Sequence, residues 1–140
     1  HRRSSAASDV YKRQILDRDS DDNPVLTEWT DSRSHVDWLF DVKVSGQFDV
    51  YADILVNTAS SFILTIAGDS SLVTVEPTDH ETYESRLISR VMLPVGESGL
   101  SLQPSDKSWS PIQLRSIKLK PVGMKGIKAK TMEFKVTLHQ

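Results

Sequence analysis

A run of acidic residues near the start of the chain has the spacing of a calcium-binding loop. Asp17, Asp19 and Asp21 alternate as the first three ligands of an EF-hand do, and calcium prefers carboxylate oxygens. The sixth position of such a loop must be glycine, but here it is Asp22, and Pro24 occupies the eighth. No amphipathic helix flanks the run. The sequence therefore favours a looser metal site or a solvated acidic loop over an EF-hand.

The segment Gly68-Asp69-Ser70 follows a hydrophobic run, as the nucleophile block of Gly-Asp-Ser-Leu hydrolases does. A serine nucleophile requires a general base, an acid that orients this base, and donors for the oxyanion. The chain after Ser70 contains neither the Gly-x-Asn-Asp nor the Asp-x-x-His block that supplies these groups in such hydrolases. No pair of carboxylates can be placed beside an apolar pocket, as glycoside hydrolysis would require. The segment is therefore predicted to be a hairpin turn, and the chain is predicted not to be an enzyme.

Two tryptophans in polar segments have the chemistry of a sugar-binding site. The apolar face of a pyranose stacks on an aromatic ring, while polar side chains bind its hydroxyls. Trp109 lies in a loop between two predicted strands, and Asp106, Lys107 and Gln113 are close enough in sequence to reach sugar hydroxyls. Trp29 lies in a second polar segment. These five residues are the predicted ligand-binding site, and the alternative is that each tryptophan caps the fold.

Alternation of apolar and polar residues predicts that short β-strands position these groups. The alternation is interrupted once, where the apolar spacing slips between Leu114 and Ile117. Eight strands separated by turn signals indicate an all-β fold, an antiparallel β-sandwich. The predicted strands cover residues 38–44, 48–56, 62–67, 72–76, 83–93, 99–103, 112–120 and 131–138.

The composition is that of a globular domain outside the membrane. The 140 residues suffice for one domain, with 38% hydrophobic and 26% charged residues. No apolar run is long enough to span a bilayer. The absence of cysteine excludes disulfides and thiolate metal sites. A net charge of −2 does not favour nucleic acid, so neither a nucleic-acid partner nor a membrane is expected.

Charge is unevenly divided along the chain. Residues 15–85 contain 15 acids and 3 bases, whereas residues 86–140 contain 3 acids and 10 bases. The two halves of a chain interleave in a sandwich, so these charges are predicted to pair across neighbouring strands. The alternative is one acidic face and one basic rim.

The first residues of the chain resemble a translated sequencing adapter. Residues 4–14 can be back-translated into the read-one adapter of transposase-based libraries over all eleven positions. Residues 1–14 are therefore interpreted as an artefact of a metagenomic reading frame, disordered and without a packing partner. A chain that starts at Ile15 is expected to lose less than about 1 kcal/mol of unfolding free energy.

Composition divides the rest of the chain into three parts. Residues 15–34 are polar and acidic and are predicted to be a loop. Residues 35–121 contain most of the alternating segments and form the predicted sandwich domain. Residues 122–140 are a lysine-rich tail that could add one strand.

The order of these features resembles the galactose-binding-like jelly-roll modules attached to secreted bacterial glycoside hydrolases and sulfatases, especially those at the C-terminal end of α-L-fucosidases. The resemblance covers residues 27–121 and consists mostly of packing positions. The matching residues are Trp38, Phe40, Val42, Gly46, Phe48, Val50, Gly68, Thr78, Tyr83, Leu100, Leu102, Pro104, Leu114, Ile117, Leu119 and Pro121.

The resemblance implies a non-catalytic accessory module of a secreted or periplasmic carbohydrate-active enzyme. Its partner would be a glycan, bound weakly, or the catalytic domain of its own parent chain, which it would support. The family's first strand is expected to precede the present sequence. Calcium commonly supports such jelly rolls, so Asp17, Asp19 and Asp21 are the candidate ligands of a structural calcium ion. The alternative is a stand-alone β-sandwich that binds another protein.

Overall fold

Eleven β-strands account for nearly all the regular structure of the described residues in a computed structural model of the chain. The structure describes residues 8–10, 15–18, 22, 24–27, 29–31, 33–123 and 129–136. The strands are β1 (Ser8–Val10), β2 (Ile15–Arg18), β3 (Pro24–Thr27), β4 (Val36–Val42), β5 (Gly46–Leu55), β6 (Ser60–Ile66), β7 (Asp69–Val75), β8 (Glu84–Leu93), β9 (Gly96–Pro104), β10 (Gln113–Pro121) and β11 (Met132–Lys135). A 3₁₀ turn covers Asp79–Glu81. Among the described residues, no helix is long and apolar enough to cross a membrane.

The strands form two antiparallel sheets that face each other. The five-stranded sheet has the order β1-β4-β9-β6-β7. The six-stranded sheet has the order β2-β3-β10-β5-β8 with β11 as an additional partner of β10. This arrangement confirms the predicted all-β antiparallel sandwich, and each of the eight predicted strands overlaps an observed one.

The core lies between the sheets and is built by the alternation of the strands. In β5 the residues from Phe48 to Ile54 are buried at every second position, while the intervening side chains face outward. Val91, which the alternation also places inward, is only half-buried because β8 is an edge strand. The largest fully buried side chains are Trp29, Trp38, Phe40, Phe62, Leu26, Ile54, Leu64, Leu93, Leu100, Leu102, Leu114 and Ile117.

The segment predicted to be an acidic loop, residues 15–34, contains the hairpin of β2 and β3. Val25 and Leu26 are buried, and Leu26 pairs with Leu114 of β10. The strands are short and surrounded by acids, so the alternation is too brief to be recognised in the sequence. Burial of Leu26 in the core beside β10 stabilises the hairpin where local propensity does not.

The backbone of Ser8–Val10 pairs with β4, which differs from the expectation that residues 1–14 contact nothing. The register places Ser8 opposite Trp38 and Val10 opposite Val36. An edge strand offers unpaired N–H and C=O groups to any extended backbone, so this pairing does not require a matched sequence. The adapter interpretation and the small cost of removing residues 1–14 stay predictions.

The tail contributes strand β11, which closes the sandwich beside β10. Phe134 is buried and its ring centroid lies 4.9 Å from that of Phe40. The indole N–H of Trp38 donates a hydrogen bond to the carbonyl of Lys135 across the two sheets, at 3.3 Å. Phe134 and Val136 of the tail are therefore part of the core.

The spacing irregularity in β10 is a β-bulge. The register against β5 shifts between Leu114 and Ser116, which makes Arg115 the extra residue. A bulge re-aims the side chain at the inserted position. Arg115 is thereby directed towards Asp53 of β5, with an Nε–Oδ2 distance of 3.0 Å.

We expect Phe48→Ala to lower the free energy of unfolding by about 3–5 kcal/mol, because it removes a large side chain that is 2% exposed. Denaturant unfolding measures this loss. The control is Gln47→Ala on the opposite face of β5, which should change stability by less than about 0.5 kcal/mol. A loss below about 1 kcal/mol at Phe48 would mean that β5 is displaced by one residue.

Candidate functional site

The predicted ligand-binding loop lies at one end of the sandwich, which we call the Trp109 end. It contains the connections β3–β4, β5–β6, β7–β8 and β9–β10. The β9–β10 connection is fixed to the start of β6. The Ser60 hydroxyl donates to the carbonyl of Ser110 at 2.6 Å and accepts from its backbone N–H at 2.9 Å. The N–H of Ser61 also donates to the carbonyl of Ser108 at 2.9 Å.

Trp109 packs against Trp29 rather than standing free. The ring centroids are 5.0 Å apart with an interplanar angle of 65°, a T-shaped contact. The indole N–H of Trp109 donates to the carbonyl of Trp29 at 3.0 Å, and that of Trp29 donates to the carbonyl of Ser34 at 3.2 Å. Trp109 remains half-buried, so part of its surface faces solvent.

The assignment of Trp29 to the ligand-binding site needs correction. Its side chain is 0% exposed, so its ring cannot stack on a sugar in this conformation. It packs in the core beneath Trp109, with its one polar atom satisfied by Ser34. The polar residues around Trp29 in the sequence hide the fact that a buried strand, β3, precedes it.

The other three predicted residues divide between two places. Asp106 and Lys107 are exposed in the Trp109 loop. Gln113 is half-buried at the start of β10, and its amide oxygen accepts a hydrogen bond from the Tyr83 hydroxyl at 2.8 Å. Gln113 therefore orients Tyr83, and its amide N–H groups can donate to a ligand.

A second aromatic side chain at this end, Tyr83, was not predicted from the sequence to be a site residue. The Arg115 guanidinium lies over the Tyr83 ring, 4.0 Å from its centroid, in a cation–π contact. Asp53 accepts two hydrogen bonds from the same guanidinium, at 3.0 and 3.4 Å. The slip in apolar spacing at Leu114–Ile117 was the available signal, because it marks the bulge that presents Arg115.

The β7–β8 connection at this end is held in an unusual conformation. His80 and Glu81 have φ of 50° and 55°, in the left-handed region that non-glycine residues rarely adopt. The Glu84 carboxylate accepts from the backbone N–H of Asp79 at 2.8 Å and pairs with Arg86 at 2.8 Å. These bonds hold the turn beside Tyr83 in its strained conformation.

The predicted hairpin is present, but its turn is one residue earlier than Gly68-Asp69-Ser70, because Asp69 and Ser70 already belong to β7. Ala67 and Gly68 both have positive φ, 51° and 84°, as the two central residues of a type I′ turn require. The Ser70 hydroxyl is hydrogen-bonded to the Thr65 hydroxyl at 2.7 Å. A threonine hydroxyl is not a general base, so this contact does not activate Ser70.

The candidate calcium ligands fall largely outside the described residues. Asp19 and Asp21 are not described, and Asp17 is described only by its backbone, which pairs with Val25. Within the described part of the chain, no three acidic or histidine side chains converge as a metal site would need. The structural calcium ion stays a prediction.

Comparison with solved structures shows which class of fold this is. A family 35 carbohydrate-binding module from Clostridium thermocellum matches with a TM-score of 0.64 and 16% identity, over 81% of this chain and 92% of the module. A Podospora anserina β-(1,4)-mannanase with a family 35 module matches at 0.64 and 14%, over 86% of this chain and 29% of the enzyme. A Paenibacillus cycloisomaltooligosaccharide glucanotransferase matches at 0.68 and 11%, over 81% and 17%.

The chain therefore has the jelly-roll fold of carbohydrate-binding modules, as the sequence resemblance implied. It spans nearly the whole of the isolated module but less than a third of the two enzymes. Comparison with protein-family models and with curated proteins gives no match.

The Glu84 contacts predict a pH dependence. The backbone N–H of Asp79 and the Arg86 guanidinium hold the pKa of Glu84 below its ordinary value of 4.5. A lowered pKa stabilises the fold above about pH 4.5 and loses this effect as the pH falls through the folded-state value. We expect Glu84→Gln to lower the unfolding free energy at pH 7 and to have a smaller effect at pH 3. The matched control is Glu81→Gln in the same connection, which should not show this difference between pH 7 and pH 3. An equal loss of unfolding free energy in Glu84→Gln at both pH values would contradict the assignment.

Proposed function

We propose that this chain is a non-catalytic carbohydrate-binding module that accompanies a larger carbohydrate-active enzyme. The observation that carries this proposal is the coverage of the comparisons. The fold coincides with 92% of an isolated carbohydrate-binding module, while it makes up only 17–29% of two enzymes that act on glycans. A domain with these proportions acts as an attachment to a catalytic unit.

The glycan site of this proposal is the outer surface of the Trp109 loop. The ring of Trp109 is half-buried and fixed by its N–H bond to the carbonyl of Trp29, so little conformational entropy is lost when a sugar stacks on it. Asp106 and Lys107 are exposed in the same loop and offer an acceptor and a donor for sugar hydroxyls. Gln113 and Tyr83 provide a second polar and aromatic pair at the same end.

Binding at such a site would be weak. Sugar hydroxyls exchange hydrogen bonds with water for hydrogen bonds with protein, so the net gain comes mainly from stacking on one aromatic ring. We expect a dissociation constant of about 0.1–1 mM. Weak binding suits an attached module, because the enzyme supplies the second point of contact with the same polymer.

Structural support of the parent enzyme is the second candidate function. It is favoured by the Trp109–Trp29 contact, since Trp109 closes the core end instead of presenting an unobstructed ring. In that case the Trp109 end would pack on the catalytic domain, and Trp109 would contact protein rather than sugar. The proposal also includes a secreted or periplasmic location, a glycoside hydrolase or sulfatase as the parent enzyme, and a structural calcium ion.

Glycan binding should depend on the exposed polar residues of the Trp109 loop. We expect Asp106→Ala and Lys107→Ala each to weaken binding several-fold without changing stability, because both side chains are exposed. Trp109→Ala should abolish measurable binding. The measurement is titration of wild type and variants with fucose, galactose and oligosaccharides, followed by NMR chemical shifts.

The control variant is Asp69→Ala, at the opposite end of the sandwich, which should bind as wild type does. Unchanged binding in Trp109→Ala would remove that residue from the site. If the folded wild-type chain binds no member of the panel, glycan binding by this domain fails and structural support becomes the function to test.

A further inference from the structure

Strand β7 is an unprotected edge of the five-stranded sheet. It is the last strand in the order of that sheet, and no described strand pairs with its outer side. Its seven residues pair with β6 in an unbroken register from Ser60–Val75 to Ile66–Asp69. It contains no proline, lysine or arginine. Natural proteins usually place such residues, or a bulge, on an edge strand to prevent pairing with another chain.

The edge strand β8 of the other sheet shows the protection that β7 lacks. Its register against β5 is interrupted by a bulge where the partner changes between Val50 and Tyr51. It also contains Glu84, Arg86 and Arg90. Charge and irregular backbone make β8 a poor template for a further strand. The edge strands β7 and β8 therefore differ in what they can bind.

An exposed leucine lies at the centre of β7. Leu72 is 62% exposed on the outer face of the sheet, next to its half-buried partner Ile63 on β6. The side chains on either side of it along this face are fixed by hydroxyl pairs to β6. Ser70 bonds to Thr65 at 2.7 Å, and Thr74 bonds to Ser61 at 2.9 Å. The edge is thus regular in its pairing and apolar at its midpoint.

We propose that β7 pairs antiparallel with β7 of a second copy of this chain, with a two-fold axis at Leu72. In this register Leu72 faces Leu72 of the partner subunit, Ser70 faces the partner's Thr74, and Asp69 faces the partner's Val75. The two leucines cover each other, the hydroxyl residues can hydrogen-bond across the axis, and no two like charges meet. The two five-stranded sheets become one sheet of ten strands.

The self-complementarity of the strand is what identifies the occupant as a second copy. A two-fold axis brings the same surface patch together from both subunits, so each residue must suit the residue that the axis places opposite it. The outer face of β7 meets this requirement about Leu72, because a hydroxyl residue lies two positions away on each side and the one charge of the strand lies at an end. Parallel pairing in register would instead place Asp69 against Asp69 of the partner subunit.

Oligomeric state tests the proposal first. We expect light scattering after size exclusion to give twice the 15.7 kDa chain mass for wild type at high concentration. Leu72→Lys, which places two like charges on the axis, should give the monomer mass. The matched control is Met92→Lys, the same change at a 67% exposed apolar residue of β8, which should leave the dimer intact.

Cysteine cross-linking tests the register. The chain has no cysteine, so each variant has a single thiol. Residues directly opposite on antiparallel strands have Cβ atoms about 4.5–5.5 Å apart, close enough for a disulfide after a small adjustment. Under mild oxidation Leu72→Cys should form a covalent dimer much faster than Thr74→Cys, which lies four positions from its own copy, and faster than Met92→Cys.

Each outcome decides the proposal. A monomeric wild type across the concentration range overturns it, whether or not β7 accepts a strand from a different protein. A dimer that persists in Leu72→Lys, or equal cross-linking of the three cysteine variants, also overturns it by assigning the interface to another surface. Circular dichroism of each variant verifies that the sandwich is folded. The proposal does not depend on glycan binding, and its failure leaves the proposed function unaffected.

Discussion

The register of β5 is the constraint on which both faces of the six-stranded sheet depend. One set of alternate side chains, from Phe48 to Ile54, fills the core. The other set contains Asp49, Tyr51 and Asp53, which contact Arg90, Lys120 and Arg115 respectively. A slip of one residue would bury the aspartates and expose the core, so the polar contacts and the hydrophobic core specify the same alignment.

These contacts also account for the uneven charge along the chain. Arg90 and Arg115 come from the basic second half, whereas Asp49 and Asp53 come from the acidic first half, and the antiparallel order places the halves side by side. The Arg90 hydrogen bonds hold the pKa of Asp49 below its ordinary value of 3.8. Such exposed pairs add little stability. They have a greater effect on the alignment of the strands, since pairing β5 with a different strand would leave Asp49 and Asp53 without a cation.

The sequence predicts the strands β4 to β11 and misses the β2–β3 hairpin, where tertiary contacts decide. β4, β5 and β8 are recognisable because each has a long alternating pattern. The β2–β3 hairpin is not, because four residues per strand are too few to show a period and its stability comes from burial of Leu26 on β10.

The candidate site was predicted in the same uneven way. The Trp109 loop could be located because it separates two clear strands. The burial of Trp29 could not, because its polar neighbours in sequence say nothing about the core beneath it. The Tyr83–Arg115 contact depends on the bulge and on a residue thirty-two positions away, which no local pattern relates.

The two proposals together have a geometric consequence for glycan binding. β7 runs towards the Trp109 end, since Val75 pairs with Ser60, whose hydroxyl is bonded to the Trp109 loop. Antiparallel pairing of two β7 strands therefore directs the two Trp109 ends in opposite directions. Two sites so arranged cannot contact one flat surface at the same time, so dimerisation would not raise the affinity for such a surface. The dimer would instead bridge separate glycan chains, with each module retaining its own weak affinity.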